Sequence, residues 1–415
     1  MTTRILRDRP RTLADSLSGG FRRRKGARWP WLAGIALAVV GVPFAFQSLA
    51  GLIGVSHVPP AINKVKAATP VVDSRCAVPV ALLQEELKGL AQAFNGRAGI
   101  AVTRVGCDWV VGDRLTEYFP QQSVSKLWVS LAVLDAVDAG QLRLDQMLAI
   151  RPDDLTLFNQ PLRSEVLDAG VVQKPVLTLM MAALSRSDNT ANDRLLWSAG
   201  GPDAVRRALR DKALDGLRFG PGERLLQSKV AGLEWSQDMS LGRNFEQARA
   251  RLPDDRRHNA LSAYLADPMD GAMPSGMVRA LSRLAAGELL SPGSTAVMMD
   301  ILSKTHSGPR RLKAGAPQGW SVYHKTGTGQ ELGRVSTGYN DVGILQAPDG
   351  TRYAVAVMIA STTEPIPVRM EMMQAVSRAV GRFHDGQQPL GEGGEQAIAQ
   401  ASDELPAQEV APQPL

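Results

Sequence analysis

Between Trp29 and His57 the chain carries no Lys, Arg, Asp or Glu, and Trp29–Val55 is 27 residues of almost purely apolar and small side chains. About 20 residues at 1.5 Å rise each suffice to cross a bilayer. The basic cluster Arg22 to Arg28 stands immediately before this run, so the positive-inside rule leaves residues 1–28 in the cytoplasm and exports the chain beyond residue 55. A single-pass signal anchor over 29–55 is the preferred reading, because a cleaved signal peptide has a shorter apolar core of roughly 7–15 residues. Cleavage remains the alternative, since Ser48-Leu49-Ala50 offers small residues to a peptidase. A buried helix of a soluble domain does not fit that length and flank.

The formal net charge of +6 resolves the same way. Residues 1–28 hold nine basic side chains against Asp8 and Asp15, a net +7, which leaves everything after them at −1. The body of the chain therefore has no nucleic-acid footprint, and with 44% hydrophobic and 21% charged residues it is not disordered either. Residues 56–77 hold several prolines and no apolar period and read as a linker; the stretch 385–415 is rich in Gly, Pro, Gln and Glu without a Lys or Arg after Gly386 and reads as a disordered acidic tail. The two cysteines, Cys76 and Cys107, fall on the exported side, where a disulfide between them would persist; two free thiols are the alternative. The five histidines are scattered without metal-ligand spacing, which speaks against zinc chemistry.

From 78 to 384 the pattern is that of a folded domain. A helix is expected over 79–95, hairpin strands over 98–105 and 108–112, and a helix over 123–139 stopped by Gly140. A mostly helical middle runs over 140–300. Strands come next over 319–328, 337–346 and 352–360, with Pro348-Asp349-Gly350 as a hairpin turn, and a last helix over 367–384. This order predicts an α/β architecture: an antiparallel sheet with the terminal helices on one face, plus a mostly helical subdomain.

Three short motifs carry the chemistry. In Ser123-Val124-Ser125-Lys126 the i, i+3 spacing puts an amine on the same helical face as a hydroxyl, beside the N–H groups of a helix start. Alone it reads far more simply as a capping serine with a solvated lysine. Ser187-Asp188-Asn189 opens a further helix, where a cap is again the plain reading. Lys325-Thr326-Gly327-Thr328 sits in an expected strand, where glycine weakens pairing but suits close approach of a ligand.

In that order the three elements match the SxxK, SDN and KTG set of class A β-lactamases and penicillin-binding proteins. The chain resembles the class A β-lactamase family of serine hydrolases over about 78–384. Phe119-Pro120 before the nucleophile, Ala139-Gly140-Gln141, Asn189-Thr190-Ala191-Asn192 with Gly200-Gly201-Pro202 after it, and Met273-Pro274 through Gly287-Glu288-Leu289-Leu290 add to the resemblance. It implies the β-lactamase-like fold and a role for each matching residue. Ser123 would be the nucleophile and Lys126 would help deprotonate it; Ser187 would pass a proton to the leaving nitrogen; Asn189 would bind the substrate's acyl amide. Lys325 and Thr326 would hold the substrate carboxylate, and the N–H groups of Ser123 and Thr328 would form the oxyanion hole. Arg310 is the candidate for the family's extra arginine near KTG, with an exposed basic loop as the alternative. No cofactor is needed, because nucleophile, base and oxyanion donors are all protein groups.

The family clears its acyl-enzyme with a glutamate and, four residues on, an asparagine that together hold a water. Glu223 and Gln227, with Leu226 at i+3, have that spacing, so Glu223 is the candidate base and Glu234 a second carboxylate. Two features depart from the family: Gln stands where Asn is usual, and 228–270 is an insertion several times the usual length. The insertion is either a surface helix or a lid over the cleft. Phe158 falls where the family has an aromatic gate, with a core aromatic as the alternative. Three functions are open to such a chain: an envelope serine β-lactamase; a D-alanyl-D-alanine peptidase or other envelope amide hydrolase acting on peptidoglycan stems; or a catalytically silent cell-wall-binding protein.

Overall fold

The computed structural model describes residues 75–387. The segments read as cytoplasmic, membrane-spanning and linker up to residue 74, and the tail from 388, lie outside the described residues. Among the described residues no helix is long and apolar enough to cross a membrane.

The sheet runs Val111–Asp113, Gly96–Arg104, Arg352–Thr362, Val335–Gln346, Ser321–Thr328, and every neighbouring pair is antiparallel. The short strand Glu331–Leu332 folds back onto the start of Val335–Gln346. Gly350 donates to Ala347 O and Ala347 to Thr351 O, closing the expected hairpin turn. The second hairpin strand is shorter than its sequence suggests: it starts at Val111, because Thr103 Oγ1 holds the Trp109 carbonyl at 2.5 Å and keeps 108–110 off the ladder.

Both faces of the sheet are covered, so in the strands Gly96–Arg104 and Arg352–Thr362 successive residues are mostly apolar on both sides rather than alternating with polar ones. Ile100, Val355 and Val357 point to one face and pack with Leu87 and Val380 of the terminal helices Ala81–Ala93 and Ile366–Asp385. Ala101, Ala354 and Ala356 point to the other. Their small size lets Leu127 and Leu131 of Lys126–Asp138, and Met277 and Leu281 of Pro274–Ala286, come down onto the strands. Each such fully buried side chain contributes about 1.5–3 kcal/mol. Cys76 and Cys107 are disulfide-bonded with Cα atoms 5.4 Å apart, tying the segment before the first helix to the turn after the first strand.

The middle of the chain is helical as expected. It includes Val176–Ser185, Asn189–Ser198, Glu223–Val230 and Asp254–Ala266. The insertion 228–270 does not lie over the cleft as a lid. It forms a wall behind it, with Phe245 packed against Leu157, Tyr264 against Leu226, and Arg249 donating to Glu331 O at 2.8 Å.

Candidate active site

Ser123 lies in a 3₁₀ turn, Gln122–Ser125, that leads into the helix Lys126–Asp138. At three residues per turn, side chains i and i+3 eclipse. Lys126 therefore stands directly over Ser123, its Nζ 2.8 Å from Oγ. The same amine is paired with Glu223 Oε1. Lys126 is fully buried and Glu223 only 4% exposed, so amine and carboxylate replace one another's water.

Glu223 opens the helix Glu223–Val230, and its backbone N–H donates to Asp193 Oδ1 at 2.9 Å. Gly222 precedes it at φ 100°, a conformation that favours glycine. Asp193 is buried beneath this helix start. Burial, with the nearby Glu223 charge adding, raises its carboxyl to about 6. One turn on, Gln227 Nε2 lies 3.4 Å from Glu223 Oε2 and 3.0 Å from Gln122 Oε1. Glu234 is elsewhere: it lines a separate hollow with Trp235 on the far side of this helix.

Ser187 occupies the gap between two helices at φ 60°, a left-handed conformation that costs a non-glycine residue about 1–3 kcal/mol. The Asn159 side chain holds it there by donating to Arg186 O and Ser187 O at 2.7 and 2.9 Å. Asp188, not Ser187, is the helix cap, accepting from Ala191 N. Asn189 Nδ2 donates to Leu157 O at 2.8 Å, and its Oδ1 is buried without a partner. Phe158 is half exposed at φ 60° and meets Phe245 of the insertion edge to face at 5.2 Å.

Lys325 projects from the strand Ser321–Thr328 and donates to Ser187 Oγ at 3.0 Å and Thr326 O at 2.8 Å. Burial, then the neighbouring Lys126 charge, pushes its amine well below the usual lysine range. Gly327 is needed for a reason other than ligand approach: a Cβ there would lie 2.4 Å from Gln121 O, in the turn that carries Ser123. Asn340 clamps the same turn, donating to Pro120 O at 2.7 Å and Gln121 O at 3.0 Å.

The arginine of the site is Arg311, not Arg310. Arg310 is exposed, and its carbonyl accepts from Gln374. The turn at Gly308, φ 64°, swings Arg311 inward. There Arg311 donates to Gly327 O at 3.1 Å, Asn340 O at 2.6 Å and Thr328 Oγ1 at 2.7 Å, its guanidinium 3.7 Å above the Tyr339 ring.

Ser123, Ser187, Asn189, Gln227, Thr326 and Thr328 thus line one cleft of about 480 Å³, with Phe158, Arg186 and Arg311 on its walls. No side chain of 228–270 lines it, and none of the lining residues is acidic. A nucleophile touching a buried amine–carboxylate pair, opposite a second buried amine, is an arrangement suited to serine-hydrolase chemistry.

Comparison with known proteins agrees with that class. The model of the beta-lactamase enzyme family matches residues 82–383, and the chain belongs to this family. It is 23% identical over 300 residues to β-lactamase VEB-1 of Pseudomonas aeruginosa, covering 72% of this chain and 89% of that one. To β-lactamase CTX-M-25 of Escherichia coli it is 27% identical over 299 residues, 72% and 88% of the two chains. The ancestral (GNCA) class A β-lactamase structure superposes with a TM-score of 0.57 at 28% identity, covering 72% of this chain and 99% of that one. The fold is the class A β-lactamase fold and the protein is a serine β-lactamase-like hydrolase.

Sequence reasoning missed Gln122, Asp193, Tyr264, Asp270, Arg311, Gln330 and Asn340. Only Arg311 had a local signal, the glycine three residues before it.

Proposed function

We propose that the protein is a membrane-tethered serine β-lactamase of the class A type, working on the periplasmic face of the inner membrane. The observation that carries this is the contact of Lys126 with both Ser123 and Glu223. It gives the Ser123 proton a route to a carboxylate and leaves that carboxylate beside the future ester. Ser123 Oγ attacks the lactam carbonyl, and its proton passes to Lys126. The backbone N–H groups of Ser123 and Thr328 stabilise the oxyanion. The C–N bond breaks as Ser187 Oγ gives the nitrogen a proton, replaced through Lys325. Lys325, Thr326 and Arg311 hold the substrate carboxylate, and Asn189 with Phe158 the acyl side chain. Glu223 then takes a proton from water, whose oxygen attacks the ester and frees Ser123. The uncharged run 29–55 behind a basic cluster supports the tether.

A second reading, a D-alanyl-D-alanine peptidase or related amide hydrolase of peptidoglycan stems, is favoured by Gln227. Its amide lies nearer Gln122 than Glu223, which weakens its hold on a deacylating water. Ultraviolet absorbance of benzylpenicillin with the protein and with Ser123→Ala tests the first reading. Sustained loss of the lactam band with wild type alone is expected; absence of loss beyond one equivalent overturns it.

A further inference from the structure

A single line of side-chain hydrogen bonds runs from the insertion to the catalytic carboxylate. Tyr264, on the helix Asp254–Ala266, is 4% exposed and donates to Asp270 Oδ1 at 2.9 Å. Its oxygen accepts from Gln122 Nε2 at 2.7 Å. Gln122 Oε1 accepts from Gln227 Nε2 at 3.0 Å, and the same nitrogen faces Glu223 Oε2. Gln330 Nε2 closes the line, donating to Gln227 O at 2.8 Å and Gln227 Oε1 at 3.0 Å.

The direction of every bond is forced. A backbone carbonyl only accepts, so the Gln330 atom facing Gln227 O is nitrogen. Gln227 must then turn its oxygen to Gln330 and its nitrogen to Gln122 and Glu223. Gln122 must turn its oxygen to Gln227 and its nitrogen to Tyr264, whose hydroxyl proton is left for the acceptor Asp270. A flipped Gln122 amide would set two NH₂ groups against each other, with both buried. Asp270 also accepts from the Gln122 backbone N–H at 2.8 Å, and that bond does not involve Tyr264.

We propose that Tyr264 is a positioning residue for deacylation: with Asp270 it anchors the Gln122 side chain, whose amide oxygen holds beside Glu223 the N–H of Gln227 that Gln330 has turned that way. This rests on the acyl-enzyme reading and says how this chain uses glutamine where the family has asparagine. In the step served, the water oxygen bonds the ester carbonyl carbon and its proton passes to Glu223. The bond to Ser123 Oγ then breaks, and a proton returns to that oxygen through Lys126. Acylation does not need the line, because Lys126 touches Ser123 directly.

Tyr264→Phe keeps the ring and removes both bonds. With benzylpenicillin, kcat and KM are expected to fall together by roughly tenfold, leaving kcat/KM unchanged, and the penicilloyl adduct on Ser123 to accumulate at steady state. Gln122→Met should give the same defect, and the double variant should be no worse than either single one. Loss of kcat/KM alongside kcat, no accumulated adduct, or additive effects would overturn the proposal while leaving the β-lactamase reading standing. A wild-type adduct that persists for hours would overturn both, since the line would then be intact without deacylation.

Discussion

Replacing Gly327 by alanine places one methyl group where the strand Ser321–Thr328 meets the turn that carries Ser123. The new Cβ falls 2.4 Å from Gln121 O and 3.2 Å from both Asn340 Nδ2 and Val124 Cγ2. Against ordinary contact the first distance is short by about 1 Å. The carbonyl cannot retreat freely, because it accepts from Asn340 Nδ2 at 3.0 Å and Val124 N at 3.2 Å. Overpacking of this kind costs about 1–3 kcal/mol, or a Tm drop of roughly 2–5 °C in a domain of this size. The larger effect falls on chemistry. The strand moves Lys325, Thr326 and Thr328 together away from Ser123, and a misplacement near 1 Å costs about 10²-fold. Stopped-flow acylation by a chromogenic cephalosporin, with thermal melts in parallel, measures both. Gly89→Ala is the control: its Cβ meets nothing within 4 Å, and it should be neutral or slightly stabilising. An alanine at 327 with unchanged Tm and unchanged acylation rate would refute the reasoning.

Arg311→Gln should raise KM for benzylpenicillin about 10- to 100-fold, with Arg310→Gln within about twofold of wild type; steady-state kinetics on the two variants decides which arginine serves the cleft. Asp193 has its folded pKa raised to about 6, so the stability it contributes is full below the unfolded value near 4 and is lost as pH rises through 6. Denaturant melts should therefore show wild type losing on the order of 2 kcal/mol relative to Asp193→Asn between pH 4 and pH 7; parallel curves would contradict this. The disulfide Cys76–Cys107 closes a loop of sequence separation 31. Substituting both cysteines by serine should cost about 2–4 kcal/mol in the same melts.

The legible part of the sequence was local. The Ser123–Lys126 contact is a property of one turn, and the last hairpin comes from Pro348-Asp349-Gly350 between two apolar runs. The sequence places the terminal helices on one face of the sheet; the cover on the other face is foreshadowed only by Gly96–Arg104 and Arg352–Thr362, which are mostly apolar on both sides. The illegible part depends on distant stretches of the chain meeting. Gln122 finds Tyr264 142 residues later, and Glu223 is seated by Asp193, 30 residues before it. Nothing near either position announces the partner. Arg310 and Arg311 differ by one step of a turn whose direction is set by Gly308, which spacing alone does not give. The insertion's aromatics leave a surface helix and a lid as the two readings. The structure gives neither a lid nor a plain surface helix, because Phe245 and Tyr264 are buried against Leu157 and Leu226 and no residue of 228–270 lines the cleft.

The central claim is that Ser123 is acylated and that Glu223 clears the ester. Intact-mass spectrometry of the protein mixed with benzylpenicillin and sampled from seconds to hours tests it most directly, beside Ser123→Ala and Glu223→Gln. The account predicts no adduct on Ser123→Ala, rapid turnover without lingering adduct on wild type, and one stable penicilloyl group on Glu223→Gln. A wild-type adduct that outlasts the experiment, or a Glu223→Gln protein that clears its adduct as fast as wild type, would contradict it.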